Sequence, residues 1–77
     1  MIIQKEYKAD NIINNTYIDD IDKVDVGVYD NGISFCNYYK KNRKKEDDFE
    51  TVDANGINIY ILNNDGKTLR ALRQTRR

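Results

Sequence analysis

Asp19, Asp20, Asp22 and Asp25 form a carboxylate cluster of the kind hard cations take, and Cys36 is the only thiol in the chain. Neither has the partners its chemistry needs. An EF-hand loop beginning at Asp20 would require a ligand at position 24 and a glycine at 25, where the chain has Val24 and Asp25. Taking Gly66 as the loop glycine puts Ile61 at the first ligand position. The cluster therefore reads as a solvated acidic segment with no metal. Histidine is absent, so neither Cys36 nor Ser34 has an imidazole to activate it, and serine and cysteine triads are excluded. The glycines at 27, 32, 56 and 66 are isolated, which leaves no phosphate-cradling loop. The expectation is a protein that is not an enzyme, with no catalytic residue and no cofactor.

The second feature is charge. Net charge is zero, but it is laid out in blocks: −4 over residues 1–39, +5 over 40–45, −6 over 46–66 and +5 over 67–77. Lys40, Lys41, Arg43, Lys44 and Lys45 form the first basic block and run directly into Glu46, Asp47 and Asp48; Arg70 and Arg73 belong to the second. Blocks on this scale give a multipolar surface that selects which partner approaches and how fast.

These groups must be positioned by a small frame. Seventy-seven residues form one domain, 1–77, with a limited core drawn from ten Ile, four Val, three Leu, six Tyr and two Phe. No apolar run is long enough to cross a bilayer. Met1-Ile2-Ile3 passes straight into Gln4-Lys5-Glu6, unlike a basic-then-apolar signal, and one cysteine makes no internal disulfide. A cytoplasmic protein is expected.

Period-two alternation over Val24–Tyr29 and Ile33–Tyr39, joined by Asp30-Asn31-Gly32, predicts a hairpin. A two-residue Asn31-Gly32 loop would set Val28 against Phe35 and Val24 against Tyr39 on the core side, and the alternative with Ser34 opposite Val28 is disfavoured. A second hairpin is expected about Asn55-Gly56, with Val52 facing Ile59 and Thr51 facing Tyr60. Asn63-Asn64-Asp65-Gly66 has the look of a type I turn closed by a glycine bulge. Lys67 to Arg73 fits either a returning strand or a helix with Leu69 and Leu72 inward, and residues 74–77 are expected to fray. Ile2 to Tyr7 reads as an edge strand. Asp10 as N-cap with Ile13, Tyr17 and Ile21 at i, i+4 and i+8 reads as a short helix. The expected fold class is α+β: a four- to five-stranded antiparallel sheet of consecutive hairpins with one short N-terminal helix.

With chemistry excluded, binding remains. The basic residues Lys40, Lys41, Arg43, Lys44, Lys45, Arg70 and Arg73 are candidates for a polyanion or an acidic partner, following Tyr38-Tyr39 as cations follow rings in single-strand platforms. Against this, Tyr39 is expected in the core and Glu46-Asp47-Asp48 would repel a phosphate backbone. The acidic residues Asp19, Asp20, Asp22, Asp25, Glu46, Asp47 and Asp48 are candidates for a basic protein surface. In size, in Asn-, Lys- and Ile-rich usage and in acidic blocks on a β-rich frame, the chain resembles the small orphan proteins of bacteriophages and mobile elements, of which anti-CRISPR inhibitors are a class. That resemblance implies stoichiometric occupation of a host protein or nucleoprotein complex, CRISPR-like in kind, in the bacterial cytoplasm. A small nucleic-acid-binding domain is the alternative. A self-associating subunit, a homodimer through an unpaired sheet edge, is a further one. No membrane partner is expected.

Overall fold

The computed structural model describes residues 1–74 and is all-β. Strands β1 (Ile2–Ala9), β2 (Ile12–Ile18), β3 (Ile21–Val28), β4 (Ser34–Lys40), β5 (Glu50–Asp53), β6 (Asn58–Leu62) and β7 (Thr68–Leu72) form two antiparallel sheets. The first has four strands in the order β2-β1-β6-β7, and the second three in the order β3-β4-β5. One core cluster draws on both: Ile3, Ile59, Ile61 and Leu72 from the first, Ile21, Cys36 and Tyr38 from the second, with Ala54 between them. Val24, Val26 and Val52 pack against it from the second sheet, so each sheet turns one face inward.

The expected N-terminal helix does not form, and the α+β assignment is corrected accordingly: there is no helix among the described residues. Asp10 and Asn11 lie at φ 52° and 66° and make a two-residue turn that folds β2 back on β1, with Ala9 opposite Ile12 and Ile3 opposite Ile18. Asp and Asn are the residues best able, after glycine, to take the left-handed conformation at both positions. Ile12, Ile13, Thr16 and Ile18 are β-branched and lose side-chain freedom in a helix, so local preference agrees with the strand. β1 is accordingly an interior strand, hydrogen bonded on both sides, and not an edge.

The β3–β4 hairpin forms, but in the disfavoured register. Val28 lies opposite Ser34, Gly27 opposite Phe35 and Val24 opposite Tyr38. The loop has three residues: Gly32 N–H donates to Tyr29 O at 2.9 Å, Tyr29 N–H to Ile33 O at 2.9 Å, and Gly32 takes φ 89°. Asn63 to Lys67 repeats this geometry, with Gly66 N–H to Asn63 O at 3.0 Å and φ 83° at Gly66. The slip moves Phe35, Asn37 and Tyr39 to the solvent side and leaves Cys36 and Tyr38 inside.

The expected Asn55-Gly56 hairpin is also corrected. β5 pairs with β4, while β6 pairs with β1 and β7, so residues 54–57 carry the chain from one sheet to the other. The open choice at 67–73 resolves as a strand, in which Leu69 is the extra residue of a bulge and is exposed while Leu72 is buried. Gln74 is held by its backbone N–H on Asn58 Oδ1 at 2.7 Å; the rest of the expected frayed tail, 75–77, lies outside the described residues.

Candidate binding face

The register of β4 builds a face that alternation alone does not announce. On the outside of the three-stranded sheet, Tyr29 and Phe35 stack with centroids 4.4 Å apart at 18°, and Tyr39 and Phe49 meet at 5.7 Å. Gly27 makes room for the first pair: a Cβ there would lie 2.5 Å from the end of the Phe35 ring. Lys23 Nζ stands 4.5 Å from the centre of the Tyr39 ring and Arg43 Cζ 5.5 Å from it. Asp25, Asn37 and Thr51 share a row across the three strands, with Thr51 Oγ1 donating to Asn37 Oδ1 at 2.7 Å. Four rings are therefore spread over a sheet face whose remaining positions are polar. Phe49 is 52 % exposed and Tyr29 42 %, a large apolar exposure for so small a sheet.

A structured loop borders this face. Ile21 pairs with Lys40 and Lys23 with Tyr39, so Asp22 is the extra residue of a bulge and is aimed out of the strand. Its carboxylate meets Arg43 Nη1 at 3.0 Å. The same guanidinium donates to Lys40 O at 2.9 Å, to Glu46 O at 2.8 Å and to Glu46 Oε1 at 2.8 Å. Its side chain is only 9 % exposed. Asp22, and next Glu46, hold its pKa above the ordinary arginine value. Lys45 N–H to Asp48 Oδ2 and Asp48 N–H to Lys45 O close the second half of the loop. Beneath it lies an open cleft of about 370 Å³ whose wall includes Tyr38, Arg43, Lys44, Asp48, Phe49 and Glu50.

These contacts sort the sequence candidates. Lys40 is tied by Nζ to Asp19 O at 2.7 Å, and Arg43 to Asp22 and Glu46, so two of the five loop cations are engaged within the fold. Lys41, Lys44 and Lys45 are exposed, as are Glu46, Asp47 and Asp48 beside them. Asp19 and Asp20 form the corner between the sheets, with Asp20 at φ 55°. Asp25 is exposed on the outer face, opposite Asn37. Arg70 lies in β7 and Arg73 directly follows it, in the four-stranded sheet, where Arg73 donates to Tyr60 Oη at 3.1 Å. Sequence reading missed Lys23, Tyr29, Phe35 and Phe49 as members of a surface. The available signal was Gly27, the small residue a flat-lying cross-strand ring requires.

Side-chain chemistry on this frame is quiet. Cys36 is fully buried, its Sγ–H donating to Asn37 O at 3.6 Å, and burial followed by the charge of Asp25 pushes its thiol up to about 11. Such a thiol is not a thiolate nucleophile at neutral pH. Burial, then the hydrogen bond to Glu50 at 2.8 Å, pushes Tyr38 up to about 12. Among the described residues no three His, Cys, Asp or Glu side chains converge as metal ligands, and no helix is long and apolar enough to cross a membrane.

No protein-family model, curated protein or solved structure matches this chain.

Proposed function

We propose that this is a non-enzymatic binding protein whose working surface is the aromatic outer face of the β3-β4-β5 sheet with the adjoining 40–48 loop, and that its partner is a protein surface. The observation that carries this reading is the placement of Tyr29, Phe35, Tyr39 and Phe49 on the solvent side of the sheet. Exposed aromatics ringed by polar and mixed-charge groups are the composition of interface centres. Arg43 is neutralised by Asp22 and Glu46, Lys40 is held on the Asp19 carbonyl, and the loop tip alternates in sign, which suits a partner of alternating charge better than a uniform polyanion. Together with the resemblance to small phage and mobile-element proteins, this favours stoichiometric inhibition of a host nucleic-acid-processing complex as the biological role.

One observation favours a second reading. Tyr39 is outside, with Lys23 and Arg43 against its ring, and rings beside cations are also the elements of a single-strand platform. Titration of labelled single- and double-stranded DNA and RNA at low and moderate salt separates the two. The proposal expects no saturable binding at low salt and no change on replacing Lys41, Lys44 and Lys45 with alanine. Tight binding that weakens steeply with salt and is lost in the triple variant would replace it with the nucleic-acid reading.

A further inference from the structure

The two sheets have four edge strands, β2, β7, β3 and β5, and three of them are guarded by charge. β7 carries Arg70 between Lys67 and Arg73, β3 carries Asp22, Lys23 and Asp25 with a bulge, and the four-residue β5 carries Glu50 and Asp53. Charges, bulges and shortness are how natural sheets keep edges from pairing. β2 has none of these. It runs seven residues, Ile12–Ile18, as Ile-Ile-Asn-Asn-Thr-Tyr-Ile, without a charge, a proline or a bulge. Ile12, Ile13 and Tyr17 are 61 %, 57 % and 60 % exposed. An exposed, regular, β-branched edge of this length is a pairing surface.

We infer that β2 is a homodimer interface, in which a second copy of this chain adds its own β2 antiparallel about a two-fold axis at Asn15. The β1–β2 register fixes the geometry. Ala9 and Ile12 close a two-residue turn and so form a hydrogen-bonded pair. Ile12, Asn14, Thr16 and Ile18 therefore direct their backbone groups to β1, and Ile13, Asn15 and Tyr17 direct theirs to the open edge. A two-fold at Asn15 sets Asn15 against Asn15 of the second copy, Ile13 against its Tyr17 and Tyr17 against its Ile13. Each of these pairs exchanges two backbone hydrogen bonds. A two-fold at Asn14 or Thr16 would keep outward groups together but set Ile13 or Tyr17 against Asn15 and leave two residues of the strand without a partner, and a two-fold at Ile13 or Tyr17 would leave half of the strand unpaired.

The side chains choose the same register. Read from either end, the strand is two apolar residues, three polar, two apolar, so the pairing matches Ile12 with Ile18, Ile13 with Tyr17 and Asn14 with Thr16. An unrelated strand has no reason to carry this mirrored pattern, whereas a second copy carries it necessarily, and that commits the occupant to self. The interface is isologous and closes at two copies, since the remaining edges are charged. At its ends Asp10 of one copy approaches Asp19 and Asp20 of the other, so salt screens a repulsion and association tightens as salt rises.

Sedimentation equilibrium of the chain over a wide concentration range, at low and high salt, tests this. The expected result is a monomer–dimer equilibrium that shifts toward dimer with salt, and a loss of at least tenfold in association for Asn15→Lys with unchanged circular dichroism. Register is read by oxidation: Asn15→Cys forms a covalent dimer and Ile13→Cys does not, Cys36 being buried in both. A chain that stays monomeric at every concentration, including one that binds a foreign extended peptide instead, overturns the inference. So does a dimer that Asn15→Lys leaves intact, or one that Ile13→Cys locks as readily as Asn15→Cys.

Discussion

Cys36 and Tyr38 stand side by side on the inner face of β4, and both hold their protons more tightly in the fold than in the unfolded chain. The linkage has a definite sign. The folded state binds more protons between the ordinary pKa of each group and its raised value, so stability falls as pH rises through that interval. For Cys36 the window runs from 9.0 to about 11 and for Tyr38 from 10.0 to about 12. Urea midpoints measured between pH 7 and 11 should hold level to about pH 9 and then decline. Cys36→Ala should remove the first part of the decline while lowering the midpoint at every pH, because it also empties a fully buried position. A profile flat to pH 11 would contradict the buried placement of both groups. On the other face of the same strand, Phe35 lies over Gly27 because only a residue without Cβ leaves that space. One strand thus keeps its titratable groups inside and presents its rings outside.

At the scale of elements, the β3 bulge and the 40–48 loop act as one unit. The extra residue in β3 turns Asp22 toward Arg43, and Arg43 in turn holds Lys40 and Glu46. Arg43→Gln keeps a polar side chain but is shorter and loses the charge and the fork. It is expected to speed amide hydrogen exchange across Lys41 to Asp48 about tenfold or more, with β1 and β6 as protected as before. Equal protection of the loop in the variant would mean that the arginine does not organise it.

The turns at Gly32 and Gly66 and the β3–β4 hairpin are legible in the residues, whereas Asn55-Gly56, the same dipeptide before the same alternation, crosses between sheets instead of closing a hairpin. The register of the β3–β4 hairpin is not legible, since two- and three-residue loops both use Asn31-Gly32 and matching apolar residues favoured Val28 with Phe35. The observed register sets Phe35 over Gly27, a contact across strands whose one trace in the sequence is the glycine itself. The β1–β2 hairpin was hidden for a similar reason: Asp10-Asn11 has no glycine, and Ile13, Tyr17 and Ile21 also satisfy a helical spacing. In sequence β5 pairs equally well with β6, because Val52 fits either neighbour, and only the three-dimensional path of residues 54–57 separates them. The candidate site was half legible. The charged loop was visible as a block, whereas the aromatic face depended on the register.

At the scale of the molecule, the charged candidates among the described residues are divided between the two sheets. The 40–45 block is knitted to Asp19, Asp22 and Glu46, while Arg70 and Arg73 lie on the other sheet. What remains distinctive is a ring-bearing outer face on one sheet and an uncharged edge on the other, which allows partner binding and self-association to proceed through separate surfaces. The most direct test is quantitative affinity capture from bacterial lysate at physiological salt, comparing the native chain, Tyr29→Ser with Phe49→Ser, and the Lys41, Lys44, Lys45→Ala variant. The rings are expected to act as anchors contributing about 2 kcal/mol each, so the aromatic double variant should lose a specific protein partner by more than tenfold while the lysine variant retains it. Loss of the partner in the lysine variant with retention in the aromatic one would contradict the account.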